Sequence, residues 1–106
     1  MSEWIDAGRE GSLADGEHAV IDVDGVEVAI FRVEGAYYAI QDTCTHDGAE
    51  IASGELKGCE VVCPRHGARF CLKTGKVLSP PAYEDIATYP VRVKEGRIQI
   101  ASEPSH

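Results

Sequence analysis

Two short stretches of this 106-residue chain each carry one thiol and one imidazole: Cys44 and His46 in "CTHDGAE", then Cys63 and His66 in "CPRHGARF". The pattern is C-x-H, sixteen residues, then C-x-x-H. Thiolates and neutral imidazoles are both metal donors, so two loops of this kind supply four ligands for one tetrahedral ion or for a bridged pair. A structural Zn²⁺ would accept two Cys and two His. The ligand order argues against it. Common zinc modules take a cysteine pair from one knuckle and a histidine pair from one helix, whereas each loop here mixes the two types and no helix is predicted around His66. Two irons bridged by sulfide use such a mixture directly, with both thiolates on one iron and both imidazoles on the other.

On these motifs, with Gly67 after the second histidine and the "SPPA" loop downstream, the chain resembles the Rieske [2Fe-2S] family along essentially its whole length. The resemblance implies one Rieske-type [2Fe-2S] cluster per chain, with Cys44 and Cys63 on one iron and His46 and His66 on the other. It implies small antiparallel β-sheets beneath a cluster-binding subdomain spanning roughly 43–83. Two ligand loops and a proline loop would cover the metal. An all-cysteine cluster drawing on Cys59 and Cys71 would idle both motif histidines, and the C-x₃-C and C-x₇-C spacings match neither common ferredoxin pattern. Cys59 and Cys71 read instead as small apolar residues in strands. His18 and His106 read as solvent-facing.

Which branch of the family the chain resembles follows from what it lacks. High-potential members carry a third cysteine in each ligand loop, forming a disulfide, where this chain has Ala49 and Arg65. They also place a serine and a tyrosine near the cluster sulfurs, where this chain has Ala68 and Phe70. Fewer hydrogen bonds stabilise the extra electron less, so the expected potential lies toward the lower end of the roughly −150 to +300 mV Rieske range. In family structures the histidine edges reach the surface, making His46 and His66 the expected electron exit and the potential pH-dependent.

The resemblance implies a one-electron carrier, the soluble ferredoxin of a multicomponent Rieske non-haem iron oxygenase. Its partners would be an NAD(P)H-dependent flavoprotein reductase as donor and a terminal aromatic ring-hydroxylating oxygenase as acceptor. The chain is not expected to be an enzyme itself, because it is too short for a second, mononuclear-iron domain and offers no 2-His-1-carboxylate triad once His46 and His66 are spent. A nitrite-reductase small subunit or an iron-sulfur-assembly protein is the alternative of the same class. A zinc-stabilised interaction domain is the alternative of another.

The elements that must position these loops read as all-β. Helical periodicity is nearly absent, and short runs rich in Val, Ile and Tyr recur between turn signals. "AVIDV" and "VEVAIFRV" flank Asp24-Gly25, Glu34-Gly35 leads into "AYYAIQD", and "VRVK" meets "RIQI" across Glu95-Gly96, predicting hairpins on both sides of the Cys/His region. "ELKGCEVVC" and "ARFCLKTGKVL" read as short strands, and Ser79 to Tyr83 as a rigid loop because its prolines lack donors. "REGSLADGE" could form a short helical turn capped by Ser12.

The length predicts one domain over 1–106, expected to act as a monomer. Apolar runs are far shorter than the roughly 20 residues of a membrane span, and the opening residues lack a signal-peptide pattern, so a cytoplasmic protein is expected. Eighteen acids against ten bases leave a net charge of −8, which repels phosphate backbones and anionic lipid and favours partners with basic patches. Neither nucleic acid nor membrane is an expected partner.

Overall fold

The computed structural model describes residues 3–42, 51, 54–64, 67–80 and 85–104. They form ten strands: β1 (Trp4–Arg9), β2 (His18–Val23), β3 (Val26–Val33), β4 (Ala36–Gln41), β5 (Glu55–Lys57), β6 (Glu60–Val62), β7 (Arg69–Cys71), β8 (Thr88–Tyr89), β9 (Val91–Lys94) and β10 (Arg97–Ala101). No helix occurs among the described residues, and so none long and apolar enough to cross a membrane. The strands build three antiparallel sheets, ordered β1-β10-β9, β2-β3-β4-β8 and β5-β6-β7.

Three hairpins close where acid-glycine dipeptides predicted them. Asp24 and Gly25 have φ of 51° and 86°, Glu34 and Gly35 50° and 79°, and Glu95 and Gly96 53° and 77°. Two consecutive left-handed residues define the turn whose twist matches the flanking strands, and glycine at the second position lowers its steric cost.

The central sheet explains the continuous apolar run of β3. Val28 and Ile30 pack with Ala39, Ile98 and Ile100 in one core, which joins this sheet to β9–β10. Ala29 and Phe31, one residue out of phase, pack with Ile40, Ile51, Val61, Cys63, Phe70 and Leu72 in a second core, which joins it to the third sheet. Successive side chains of a strand point to opposite faces, so a strand buried on both faces must be apolar at every position. Burying each of these large side chains contributes about 1.5–3 kcal/mol. The second core seats the short β5-β6-β7 sheet, three residues per strand, rigidly on the rest of the molecule.

The helical turn expected in "REGSLADGE" is absent. Ser12 N–H donates to the Arg9 carbonyl (3.1 Å) and Glu17 N–H to that of Ala14 (3.0 Å), giving two separate turns. The Glu17 carboxylate accepts the Ala14 N–H at 2.6 Å, so the local cap comes from Glu17 and not from Ser12. Arg32 then ties the segment to the central sheet, donating to the Leu13 carbonyl at 2.7 Å and pairing with Asp15 at 3.1 Å.

Candidate metal centre

Of the four sequence-predicted ligands, Cys63 is described; Cys44, His46 and His66 lie outside the described residues, as do Pro81 to Tyr83 of the proline loop and His106. Cys63 follows β6 directly and is 1% exposed. Its N–H donates to the Ala68 carbonyl at 2.7 Å, and its carbonyl accepts the Gly67 N–H at 3.0 Å. These two bonds close the chain from 63 to 68 into a small loop, and Gly67, with φ of 77°, supplies the left-handed residue the return requires. Both backbone groups of Cys63 are thereby spent, so the direction of its side chain is held by the loop and by the core around it.

The first ligand stretch is anchored at both ends. Asp42, 4% exposed at the end of β4, donates its N–H to the Glu27 carbonyl at 2.8 Å. Its carboxylate accepts the Ile51 N–H at 2.9 Å, in a fully buried contact. Residues 42 and 51 are thus pinned to each other and to the second core, and the eight residues between them, 43–50, leave from and return to fixed points. Sequence reading missed Asp42 as a positioning residue. The available signal was an acid ending the otherwise apolar "AYYAIQD" run, two residues before Cys44.

Gly54 fits beneath β6: a Cβ there would overlap the Val62 carbonyl oxygen, one residue before Cys63. On the far side, Ser79 begins the proline loop by accepting the Arg69 N–H on its hydroxyl at 3.1 Å, while Leu78 N–H donates to the Arg69 carbonyl at 2.7 Å. Ser79 is thereby held beside β7; the remainder of the expected loop beyond Pro80 lies outside the described residues. Ala68 and Phe70 are both fully buried, so no hydroxyl stands at either position near Cys63.

Cys59 and Cys71 take separate roles. Among the described residues no three His, Cys, Asp or Glu side chains are placed to hold a metal ion, so Cys59, Cys63 and Cys71 do not gather as an all-cysteine site requires. Cys59 occupies the turn between β5 and β6 rather than a strand, and packs against the second core. Burial, followed by a hydrogen bond with Cys59, pushes the Tyr38 phenol above its usual value. Cys71 ends β7 and accepts hydrogen bonds at the "LKTG" turn. Burial raises its pKa, but the Thr74 hydroxyl, the N–H groups of Thr74 and Lys73 and the Lys73 charge outweigh it and hold the thiol below its ordinary value. His18 is exposed, as expected, with its ring 6.0 Å from that of Phe31.

A buried, disulfide-free thiol on a self-closed loop suits a soft-metal cluster ligand, and Cys63 meets each condition. A family model described as the Rieske [2Fe-2S] domain matches residues 3–90. The ferredoxin component of the naphthalene 1,2-dioxygenase/salicylate 5-hydroxylase systems of Ralstonia sp is 40% identical over 100 residues, covering 94% of this chain and 96% of the relative. A chain in the complex of reduced oxygenase and oxidized ferredoxin in carbazole 1,9a-dioxygenase superposes with a TM-score of 0.92 at 32% identity, covering 97% of this chain and 96% of that one. A nitrite reductase small subunit from Mycobacterium tuberculosis superposes with a TM-score of 0.87 at 29% identity, covering 95% and 96%. The chain belongs to the Rieske [2Fe-2S] domain family, and its cofactor is a [2Fe-2S] cluster.

Proposed function

We propose that this protein is the ferredoxin of a multicomponent dioxygenase system, carrying single electrons from a flavoprotein reductase to a terminal Rieske non-haem iron oxygenase that hydroxylates aromatic rings. It acts as a single-domain, cytoplasmic monomer whose cluster-binding subdomain spans 43–83. The observation that carries the reading is the extent of likeness to a dioxygenase ferredoxin component, 40% identity across 94% of the chain. The nitrite-reductase alternative shares the fold at 29% identity.

Cys44 and Cys63 hold one iron and His46 and His66 the other, and the bound cluster supplies reversible one-electron chemistry. Cys63 presents its thiolate from a loop locked by Ala68 and Gly67, so little rearrangement accompanies a change of charge. The buried walls at Ile51, Ala68 and Phe70 exclude water from its side of the site. The absence of hydroxyls at 68 and 70 leaves the reduced state less stabilised, which lowers the potential.

The test is electron paramagnetic resonance of the dithionite-reduced protein, with the midpoint potential read from the same titration. A mixed His/Cys signal with a potential in the lower part of the Rieske range, roughly −150 mV to 0 mV, is expected. A high positive potential would remove the oxygenase-type assignment. An EPR-silent protein holding stoichiometric zinc would remove the carrier role altogether.

A further inference from the structure

A cleft of about 130 Å³ opens where the β3–β4 hairpin meets the turns of the third sheet. Val33 and Ala36 form apolar walls, Tyr38 and Cys59 bring a phenol and a thiol, and exposed Glu34 and Lys73 add one carboxylate and one ammonium. An engineered cavity of roughly 150 Å³ admits benzene, so this cleft has room for a group of amino-acid size. Cys59 precedes β6 and Cys63 follows it, so roughly 13 Å of extended chain separates this thiol from the metal centre.

Both sides of the cleft are held by backbone bonds. Val33 pairs with Ala36 across the Glu34-Gly35 turn, whose Gly35 N–H donates to the Asp15 carboxylate at 2.9 Å. Gly58 and Cys59 make the turn between β5 and β6, closed by the Lys57–Glu60 pair, and the Cys59 carbonyl accepts the Leu72 N–H at 2.8 Å. Cys59 is half-buried and outside any disulfide. Burial, then the hydrogen bond with Cys59, then the neighbouring charges, Glu34 among them, hold the Tyr38 phenol above its usual value. The phenol therefore keeps its proton and donates to the sulfur, which favours the thiolate, the attacking form of a cysteine. Cys71 differs: it does not line the cleft, and its sulfur accepts the Thr74 hydroxyl and the N–H groups of Thr74 and Lys73.

We propose that this cleft is a thiol-exchange site, at which Cys59 takes up a small zwitterionic amino-acid disulfide, of which cystine is the simplest, as a mixed disulfide. Lys73 meets the α-carboxylate of the incoming half, Glu34 its α-ammonium, and Val33 and Ala36 its methylene. The Cys59 thiolate attacks one sulfur, and a new S–S bond forms as the old one breaks. Cys59 is oxidised, the departing half is reduced, and the proton given up by Cys59 ends on the departing thiol. A mixed disulfide of this kind is a reversible cap, which bars the irreversible steps of sulfur oxidation.

Oxidised holoprotein incubated with cystine, read by mass spectrometry of its peptides and by iron analysis, supplies the test. One half-cystine per chain is expected on the peptide carrying Cys59, with iron content unchanged, and dithiothreitol should release it. Cys71→Ala should take up the same single adduct and Cys59→Ala none. The charge pair is tested against 2-hydroxyethyl disulfide, which is neutral. In Lys73→Glu and in Glu34→Lys the reaction with cystine is expected to slow about fivefold, and that with the neutral disulfide to change by less than about twofold. No adduct on Cys59, an adduct on Cys71 alone, or equal slowing with both disulfides would overturn the proposal. Loss of iron with adducts on Cys44 or Cys63 would overturn it too, because the exchange would then be an attack on the metal centre.

Discussion

Cys63→Ala is expected to purify colourless, without iron and without an EPR signal after reduction, and to melt well below the native protein. Removal of one thiolate leaves an iron short of a ligand. Because the metal binds the folded chain and not the unfolded one, its binding free energy is folding free energy. The position adds a second loss: Cys63 is 1% exposed among Ile51, Val61, Ala68 and Phe70, so the sulfur also fills core volume. Alanine is the informative replacement, because a serine hydroxyl in that apolar surrounding would add roughly 1–3 kcal/mol of desolvation and confuse the two effects. Cys59→Ala and Cys71→Ala are the controls and should keep iron content and EPR signal. Iron analysis, the spectrum and a melting curve read all three proteins. A native-like signal in Cys63→Ala, or its loss in both controls, would remove the ligand assignment.

Gly75→Ala should cost more stability than a similar change at another left-handed glycine. Gly75 has φ of 75°, donates its N–H to the Cys71 carbonyl at 2.7 Å and accepts the Ile86 N–H on its own carbonyl at 2.7 Å. A Cβ there would be driven into the Ile86 carbonyl oxygen and would lie 2.8 Å from Thr88 Cγ2. The obstruction is backbone and cannot rotate away, so the third sheet must separate from the segment leading into β8. Strained backbone and steric overlap together put the loss above about 3 kcal/mol, or roughly 12–20 °C in Tm for a domain of this size. Gly25→Ala is the comparison, with φ of 86° but nothing within 4 Å of the added carbon, and should lose only about 1–2 kcal/mol. Equal losses in the two variants would mean that the chain at Gly75 relaxes freely and that the close approach to Ile86 matters little.

The hairpins at Asp24-Gly25, Glu34-Gly35 and Glu95-Gly96 were legible in the chain because a two-residue turn is a local event, decided by φ preferences and the apolar runs beside it. The family was legible for a similar reason: donor type and spacing are properties of sequence, and the mixed Cys/His order pointed to the Rieske [2Fe-2S] domain that the family match then showed. β1 and β8 escaped notice. β1 pairs with β10 across almost the full length of the chain, through a register shift between Asp6 and Gly8, and β8 is two residues long beside β4. Their formation depends on partners distant in sequence, whose contribution local propensity does not register. The same distance hid Asp42, whose role exists only because Ile51 returns to it. Ser12 was misread for a local reason: the segment forms two separate turns, and the Glu17 carboxylate takes the Ala14 N–H.

Sequence by itself determined the all-β class, the turns and the identity of a cluster-binding chain, since each rests on residue type and short-range geometry. Only the tertiary structure decided where β3 places its two apolar faces, how Cys63 is locked and how Asp42 anchors the first ligand stretch. Those features depend on residues distant in sequence meeting in the fold, which residue type and local spacing do not specify.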